Sequence, residues 1–412
     1  MVSHLPVRAG NEGKDAGKAR AQSERSGEKR HGGGDEKEGK EPETIVIRAR
    51  PLRLPGAGHP RSTSIIGAAE LNNPGHRSLS DAVGTMPGVY LQKTNRGAGA
   101  PFLRGLVGPQ NLILVDGIRY NNSTFRTGPN QYLALIDPAL LENVQVVLGP
   151  GSVLYGSDAM GGVVELFPRN RPGSAPFGGS AGAGFASADL STGAWLDAGG
   201  GTRSWYLASG AVARRFGTLR AGGGEPQPVS GYWRAGWHEH LEVSPLPGMV
   251  LSANYLGARV RGAGRADRLN EGRFRFYDND DDLVWLDWRW APDGPIRAVR
   301  AAVSMHHTFE RVDLYRCTLE QPVNPEDAVA CTTGAPFEPE ELPPDPLYRQ
   351  TVKEDRVFTA GALLRLRAKL WRLELVVGAD GYFDFVSSQA SERRAGNEPS
   401  WQWQELARGN FS

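Results

Sequence analysis

Two clusters of side chains have types and spacing that could bind a metal. His238, Glu239 and His240 are consecutive. Successive side chains of a strand alternate between its faces, so the two histidines would share one face and could contact a metal or haem. The acidic run of Asp278 and Asp280–282 could bind Ca²⁺ through its oxygens. We favour the ordinary alternatives, which are a polar strand face and the solvated end of a loop.

No motif for catalysis is found in the chain. It contains no Gly-x-x-x-x-Gly-Lys-Ser/Thr, no Gly-x-Ser-x-Gly and no His-Glu-x-x-His. The glycine-rich stretches at 97–99 and 182–184 lack the strand and helix that flank a phosphate-binding loop. We therefore expect neither an enzyme nor a bound cofactor.

The composition narrows the structural class. The chain has 412 residues, a net charge of +1, 53 Gly, 10 Trp and only 2 Cys. Balanced charge argues against a nucleic-acid binder, and two cysteines cannot form a disulfide scaffold. No apolar run reaches the roughly 18 residues of a transmembrane helix. A glycine-rich β architecture is the structure that this composition favours.

Three segments follow one another along the chain. Residues 1–42 are charged and contain no aromatic residue, which predicts disorder. Residues 43–172 contain no Trp and alternate short apolar runs with turn signals, which predicts a small α+β domain. Residues 173–412 contain all ten Trp and alternate with period two, apolar on one face and charged on the other.

The third segment has the pattern of transmembrane β-strands. Its apolar faces are about ten residues long and end in aromatic residues, as in the strands of outer-membrane barrels. A soluble β-sandwich is the alternative, because its strands also alternate. Nine strands are predicted, near 179–187, 190–200, 203–216, 232–245, 248–261, 283–290, 296–309, 356–370 and 371–388.

The motifs of the second segment resemble, in their order, the plug domain of TonB-dependent outer-membrane receptors. The helix from Ser78 to Val83 is followed by Pro87-Gly88-Val89, as in that family. The remaining motif residues are Arg104, Gly105, Asp116, Gly117, Gly149, Gly151, Tyr155, Gly156, Gly161 and Gly162. One departure is Leu148, where the family commonly has Arg, so an ion pair between plug and barrel wall would be missing there.

The resemblance implies a transport function and its partners. Glu43, Thr44, Ile45, Val46 and Ile47 look like the TonB box, which the periplasmic protein TonB takes up as a strand. The alternative is that this run is only the first strand of the plug. The implied substrate is a scarce nutrient such as an iron–siderophore complex, haem or cobalamin, and the implied location is the outer membrane, in contact with its lipid. Arg104 and Tyr120 lie on plug loops that could face the substrate.

The predicted strands are too few to surround a plug of about 130 residues. About twenty-two strands enclose a plug in the large outer-membrane transporters. We therefore expect an α+β plug followed by an incomplete antiparallel transmembrane β-barrel, from a fragment or a truncated gene product. The alternatives are a soluble or surface β-rich binding module and a non-functional remnant.

The two cysteines, Cys317 and Cys331, lie in a proline-rich segment between the strands that end near 309 and start near 356. We predict that this segment is a long extracellular loop, since long loops of outer-membrane barrels face outward. A disulfide there would stabilise the fold by roughly 3 kcal/mol. Two free thiols are the alternative.

Overall fold

A computed structural model of the chain describes residues 62–73, 75–128, 130, 132–170, 177–220, 222–224, 226–227, 229–268, 273–317, 348–394 and 400–404. Residues 1–42 and the predicted TonB box, Glu43–Ile47, lie outside the described residues, as does Cys331.

Residues 62–170 form a small α+β unit, called the plug unit below. Its strands are β1 (Thr63–Gly67), β2 (Val89–Asn95), β3 (Ala98–Leu103), β4 (Asn111–Val115), β5 (Ile118–Arg119), β6 (Leu141–Leu148) and β7 (Gly162–Pro168). Its helices are α1 (Ala68–Leu71), α2 (Leu79–Gly84), α3 (Tyr132–Leu135) and α4 (Ser152–Tyr155), with 3₁₀ turns at Gly108–Gln110 and Pro138–Leu140. The order β1-β6-β7-β4-β5 makes one sheet, and β2 and β3 form a separate hairpin.

Local sequence explains the elements that the motifs predicted. The Ser78 side chain accepts a hydrogen bond from the Asp81 backbone, and Asp81 returns one to the Ser78 backbone, so a capping box starts α2. The Asp137 side chain accepts a hydrogen bond from the Ala139 backbone N–H and so caps the 3₁₀ turn Pro138–Leu140. No helix in the described part of the chain is long and apolar enough to span a membrane.

Ten of the other described strands form one large antiparallel sheet, called the wall. They are β8 (Phe177–Ala186), β9 (Ser191–Gly201), β10 (Trp205–Phe216), β13 (Tyr232–Val243), β14 (Met249–Arg268), β15 (Arg273–Trp290), β16 (Ile296–Cys317), β17 (Tyr348–Leu370), β18 (Leu373–Arg394) and β19 (Ser400–Gln404). A short hairpin of β11 (Leu219–Arg220) and β12 (Pro226–Gln227) lies between β10 and β13. Neighbouring strands of the wall pair in chain order, and β8 and β19 are its two ends.

The two ends of the wall strands differ in their connections. Segments 202–204, 244–248, 291–295 and 371–372 join strands at one end and are all short. The other end includes the longer segments 217–231 and 318–347. Short turns on one side and long loops on the other are typical of outer-membrane barrels, where the short turns face the periplasm.

The two faces of the wall differ in polarity. The outward face carries a band of exposed apolar side chains that includes Leu207, Leu241, Leu286, Val303, Leu364 and Val377. Exposed aromatic residues border it: Trp205 and Trp371 toward the short turns, and Phe185, Trp233 and Phe385 toward the long loops. The inward face packs on the plug unit, and wall residues such as Val212 and Trp285 join the plug's own apolar core. An apolar band between aromatic borders is the lipid-facing surface of a barrel wall.

All nine predicted strands are present, but several are longer than predicted. The strand predicted to end near 309 continues to Cys317, and the one predicted to start near 356 begins at Tyr348. The connecting segment is therefore 318–347, and Cys317 ends a strand instead of lying in a loop. Apolar alternation could not reveal these extensions, because the outward positions beyond the lipid band are charged, for example Arg311 and Asp313. The tenth strand, β19, was not predicted.

Candidate functional site: the interface between plug and wall

Several motif glycines of the plug unit lie where its strands β3, β6 and β7 approach one another. Gly149, with a φ of +103°, lies under the Arg104 guanidinium, which a Cβ at that glycine would approach to 3.2 Å. A Cβ at Gly162 would lie 2.5 Å from the Val147 carbonyl oxygen and 2.8 Å from Leu103. Gly151 similarly packs against Tyr155, which is buried. These glycines let β3, β6 and β7 approach one another closely.

The Asp116-Gly117 turn contacts the wall. Both residues have positive φ, 47° and 77°, which allows a tight turn between β4 and β5. Arg300 of β16 donates a hydrogen bond to the Asp116 carbonyl oxygen at 2.6 Å. Its Nε also donates to Asp287 of β15 at 2.8 Å. Arg300 is thereby shared between plug and wall.

Asp137 is the most deeply buried ionic contact between plug and wall. Its carboxylate accepts hydrogen bonds from Arg214 at 2.7 Å and from Arg234 at 2.5 Å. The side chains of Asp137 and Arg234 are 0% and 1% exposed. Burial raises the pKa of Asp137, but the charges of Arg234 and Arg214 lower it further, and the net pKa is below its ordinary value. The group is therefore ionised and joins the turn before β6 to strands β10 and β13.

Three further ion pairs hold the plug unit near β8 and β9. Asp189, in the turn between these strands, pairs with Arg77 and Arg96 of the plug. Burial raises the pKa of Asp189, whereas hydrogen bonds from Ser191 and Arg77 and the charge of Arg96 lower it to about 2. Arg169, after β7, pairs with Asp197 of β9 at 2.9 Å. The plug is thus anchored on this side at both its first and its last segments.

Residues 120–128, called the apical loop, and the adjacent Arg119 of β5 contact the opposite side of the wall, from β15 to β18. Tyr120 donates a hydrogen bond to Asp281 at 2.8 Å, and Asn122 donates one to Thr308 at 3.3 Å. The backbone N–H of Ser123 donates to Asp384 at 2.6 Å, and Arg126 pairs with Glu310. The hydroxyl of Tyr382 reaches the Arg119 N–H at 3.2 Å.

Glu165 is a buried carboxyl group in the sheet of the plug unit. It is 2% exposed, and its Oε1 has no hydrogen-bond partner. Burial, together with the negative charge of Asp116, raises its pKa to about 8, although the charges of Arg365 and Arg300 oppose the shift. This carboxyl group is therefore largely protonated at neutral pH.

Three residues singled out in the sequence, Tyr120, Arg104 and Leu148, lie in different surroundings. Tyr120 is 1% exposed, and its hydroxyl donates a hydrogen bond to Asp281. It therefore faces the wall and not a substrate. Arg104 is exposed on the plug unit. Leu148, where the family's Arg is missing, is 6% exposed and packs in the apolar core.

The two metal-binding hypotheses find no support in the side-chain arrangement. His238 and His240 do share the inward face and are buried, and His240 Nδ1 lies 2.6 Å from the Asn254 amide oxygen. The acidic run lies inside β15 rather than at a loop end, because its outward members are neutralised by cross-strand arginines, as in the pair of Arg259 and Asp282. No group of three or more His, Cys, Asp or Glu side chains that could hold a metal occurs among the described residues.

Sequence reasoning missed the ionic contacts between plug and wall. The partners of Asp137, Arg214 and Arg234, lie on strands far along the chain, so no local pattern pairs them. Asp189 and Asp197 were not singled out. A charged residue on the inward face of a predicted wall strand is the signal that could have found Arg234 and Asp197, although it does not identify a partner.

Comparison with known proteins agrees with this architecture. The sequence model of the TonB-dependent Receptor Plug Domain matches residues 57–163. The vitamin B12 transporter BtuB of Vibrio vulnificus (strain CMCP6) is 34% identical over 134 residues, which are 32% of this chain and 22% of that protein. The chain belongs to the TonB-dependent receptor family. As a member of this family, it is an outer-membrane protein.

Solved TonB-dependent receptors share the fold of both parts. The copper transporter OprC superposes with a TM-score of 0.61 at 18% identity, covering 82% of this chain and 50% of that one. The pyoverdine outer membrane receptor FpvA from Pseudomonas aeruginosa PAO1 gives a TM-score of 0.56 at 14% identity, covering 81% and 47%. The chain thus spans about half the length of these receptors.

Proposed function

We propose that the chain supplies the plug and the first strands of the barrel wall for TonB-dependent uptake of a scarce nutrient across the outer membrane. The observation that carries this proposal is the plug unit seated on the inward face of a wall whose outward face is an apolar band. Ionic contacts such as that of Asp137 with Arg234 would keep the plug in place at rest. Transport requires the plug to move, and TonB would supply the force from the inner membrane.

The proposed TonB contact is Glu43–Ile47. This run is β-prone and precedes the first residue of the matched plug domain, at position 57, by ten residues. Strand addition to TonB would use its main-chain hydrogen bonds for affinity. The charged segment 1–42, the plug at 43–172 and the wall from 173 onward remain our proposed division of the chain.

The proposed substrate is a compound of the iron–siderophore, haem or cobalamin class. The similarity of the plug to that of a vitamin B12 transporter supports cobalamin as the first compound to test. The apical loop, which lies between the plug sheet and β15–β18, is the part of the plug that we expect to be nearest to a bound ligand. We also propose a Cys317–Cys331 disulfide in the exported protein.

Uptake measurements with a blocked TonB box test this function. In cells that carry the complete receptor, Ile45→Pro removes a backbone N–H donor and fixes φ, whereas Ile45→Val keeps both the donor and the β-propensity. We expect Ile45→Pro to abolish uptake of radiolabelled cyanocobalamin, haemin or a ferric siderophore while surface binding of the same compound persists. Ile45→Val should transport normally. Uptake that survives Ile45→Pro would show that these residues do not contact TonB.

A further inference from the structure

The contacts of the apical loop with the wall differ greatly in burial. Arg126 is half exposed in its pair with Glu310, and the contact of Ser123 with Asp384 is exposed. Water can replace such contacts when they open, so each contributes little. The hydrogen bond from Tyr120 to Asp281 is different, since the two residues are 1% and 2% exposed. A buried donor or acceptor that loses its partner has no water to take its place.

His306 completes this buried contact. Its Nε2 lies 3.0 Å from the same carboxylate oxygen of Asp281 that accepts from Tyr120. The nitrogen beside a carboxylate must carry the proton, so Nε2 donates and Nδ1 is left without a partner. The Tyr120 and His306 rings are 4.8 Å apart, with an interplanar angle of 33°. One carboxylate oxygen of Asp281 therefore accepts hydrogen bonds both from the plug, through Tyr120, and from β16, through His306.

The tyrosine hydroxyl keeps its proton in this environment. Burial, and then the negative charge of Asp281, raise the pKa of Tyr120 well above its ordinary value. Tyr120 therefore remains a hydrogen-bond donor throughout the pH range in which the outer membrane functions. Its bond to an ionised acceptor is of the charge-assisted kind, which is stronger than a bond between neutral groups.

We propose that Tyr120, Asp281 and His306 form a latch that holds the apical loop against β15 and β16, so that the loop lifts as a unit only when the Tyr120 hydrogen bond breaks. Tyr120 acts as a positioning residue, because it is buried against the wall and its hydroxyl donates to Asp281. The significance of the latch for transport rests on the proposed function, because a ligand-facing loop must be released before the plug moves. The latch itself is a property of the ligand-free chain.

Hydrogen–deuterium exchange of the 412-residue chain in detergent micelles, without ligand, tests the latch. The backbone N–H of Ser123 donates to the Asp384 side chain across the interface, so its exchange reports how often the loop leaves the wall, whereas the Tyr120 N–H donates to the Ile113 carbonyl oxygen within the plug unit and serves as an internal reference. Tyr120→Phe keeps the ring and deletes the donor. We expect exchange of the loop amides at 122–125, the Ser123 amide above all, to accelerate roughly tenfold or more, the factor for losing a hydrogen bond to a charged group.

Tyr255→Phe is the matched control. It deletes a tyrosine–aspartate hydrogen bond of 2.6 Å to Asp282, the neighbour of Asp281, but on the outward face of the wall. It should leave the apical loop unchanged. Asp281→Asn keeps an acceptor oxygen for Tyr120 without the charge, and should accelerate the same amides by a smaller factor.

Three results would overturn the latch. Unchanged loop exchange in both Tyr120→Phe and Asp281→Asn would do so, as would equal acceleration in Tyr255→Phe. Acceleration that extends equally to the amides of β6 and β7 would indicate general loosening of the plug instead. None of these results depends on a ligand or on TonB, so failure of the proposed transport function would leave the measurement interpretable.

Discussion

Removing the charge of Asp137 should loosen the plug more than any surface change. In Asp137→Asn the side chain keeps its size and an oxygen that can still accept the hydrogen bond from the Ala139 N–H. What disappears is the negative charge between Arg214 and Arg234. The variant therefore isolates the ionic contact from the capping role of the same residue.

The magnitude follows from the burial of the partner. The Arg234 side chain is 1% exposed, and it also donates to the backbone carbonyl oxygens of Ala134 and Arg77, which carry no full charge. Removing one member of a buried ion pair costs about 3–5 kcal/mol, because the remaining charge is left uncompensated in a low-dielectric interior. We expect Asp137→Asn to lower the free energy of unfolding by an amount in this range. The loss of the contact with Arg214 should contribute less to this cost, because the Arg214 side chain is 26% exposed.

Glu374→Gln provides the matched control. Its partner Arg367 is 52% exposed, so this carboxylate-to-amide change should cost about 1 kcal/mol or less. Urea unfolding of the refolded chain in detergent, followed by limited proteolysis of the plug, measures both variants. If Asp137→Asn costs no more than Glu374→Gln, the carboxylate does not hold the plug on the wall and the reasoning is wrong.

Three further predictions concern pH and packing. The low pKa of Asp189, about 2, means that its contribution to stability is present above pH 4 and is lost as the pH falls toward 2. Asp189→Asn should make the acid-dependent slope in urea unfolding shallower, since only the contribution of Asp137 would remain of the two, and an unchanged slope would contradict the assignment. The pKa of Glu165 is raised from 4.5 to about 8, so the native state binds its proton more tightly and stability falls as the pH rises between these values. Glu165→Gln should remove that loss of stability, which is about 3 kcal/mol between pH 4.5 and 7. If the stability of the variant and of the unmodified chain changed with pH in parallel, the raised pKa of Glu165 would be refuted. Gly162→Ala should destabilise the plug by about 1–3 kcal/mol, since its Cβ would lie 2.5 Å from a backbone carbonyl oxygen. Gly184→Ala, with nothing within 4 Å, should change thermal stability little, and equal losses would argue against close packing at Gly162.

Features that depend on neighbours in the chain were readable from the sequence. The capping box of Ser78 and Asp81 starts α2 where it was predicted, and Asp116-Gly117 turns the chain between β4 and β5. Period-two alternation also assigned the faces of the wall, with His238 inward and Leu241 exposed. These features arise from backbone geometry and side-chain alternation, which a short stretch of sequence determines by itself.

Alternation failed only where the surroundings of the wall change. Beyond the lipid band, both faces of a strand meet water or charged partners, so β16 runs on to Cys317 without an apolar face to mark it. The hydrogen-bonded ladder with β17 continues there regardless of side-chain polarity. The length of a strand is thus decided by its pairing, whereas its apolar pattern shows only the part that faces lipid.

The contacts between plug and wall were decided by the tertiary structure alone. Asp137 and Arg234 are 97 positions apart, and Tyr120 and Asp281 are 161 apart, so no local pattern pairs them. The sequence placed Tyr120 on a plug loop, and only the wall, by enclosing that loop, turned an apparent ligand-facing residue into a buried donor. The sequence determines which side chains carry charge or a hydroxyl group, and packing determines which of them lose water and must therefore find one another.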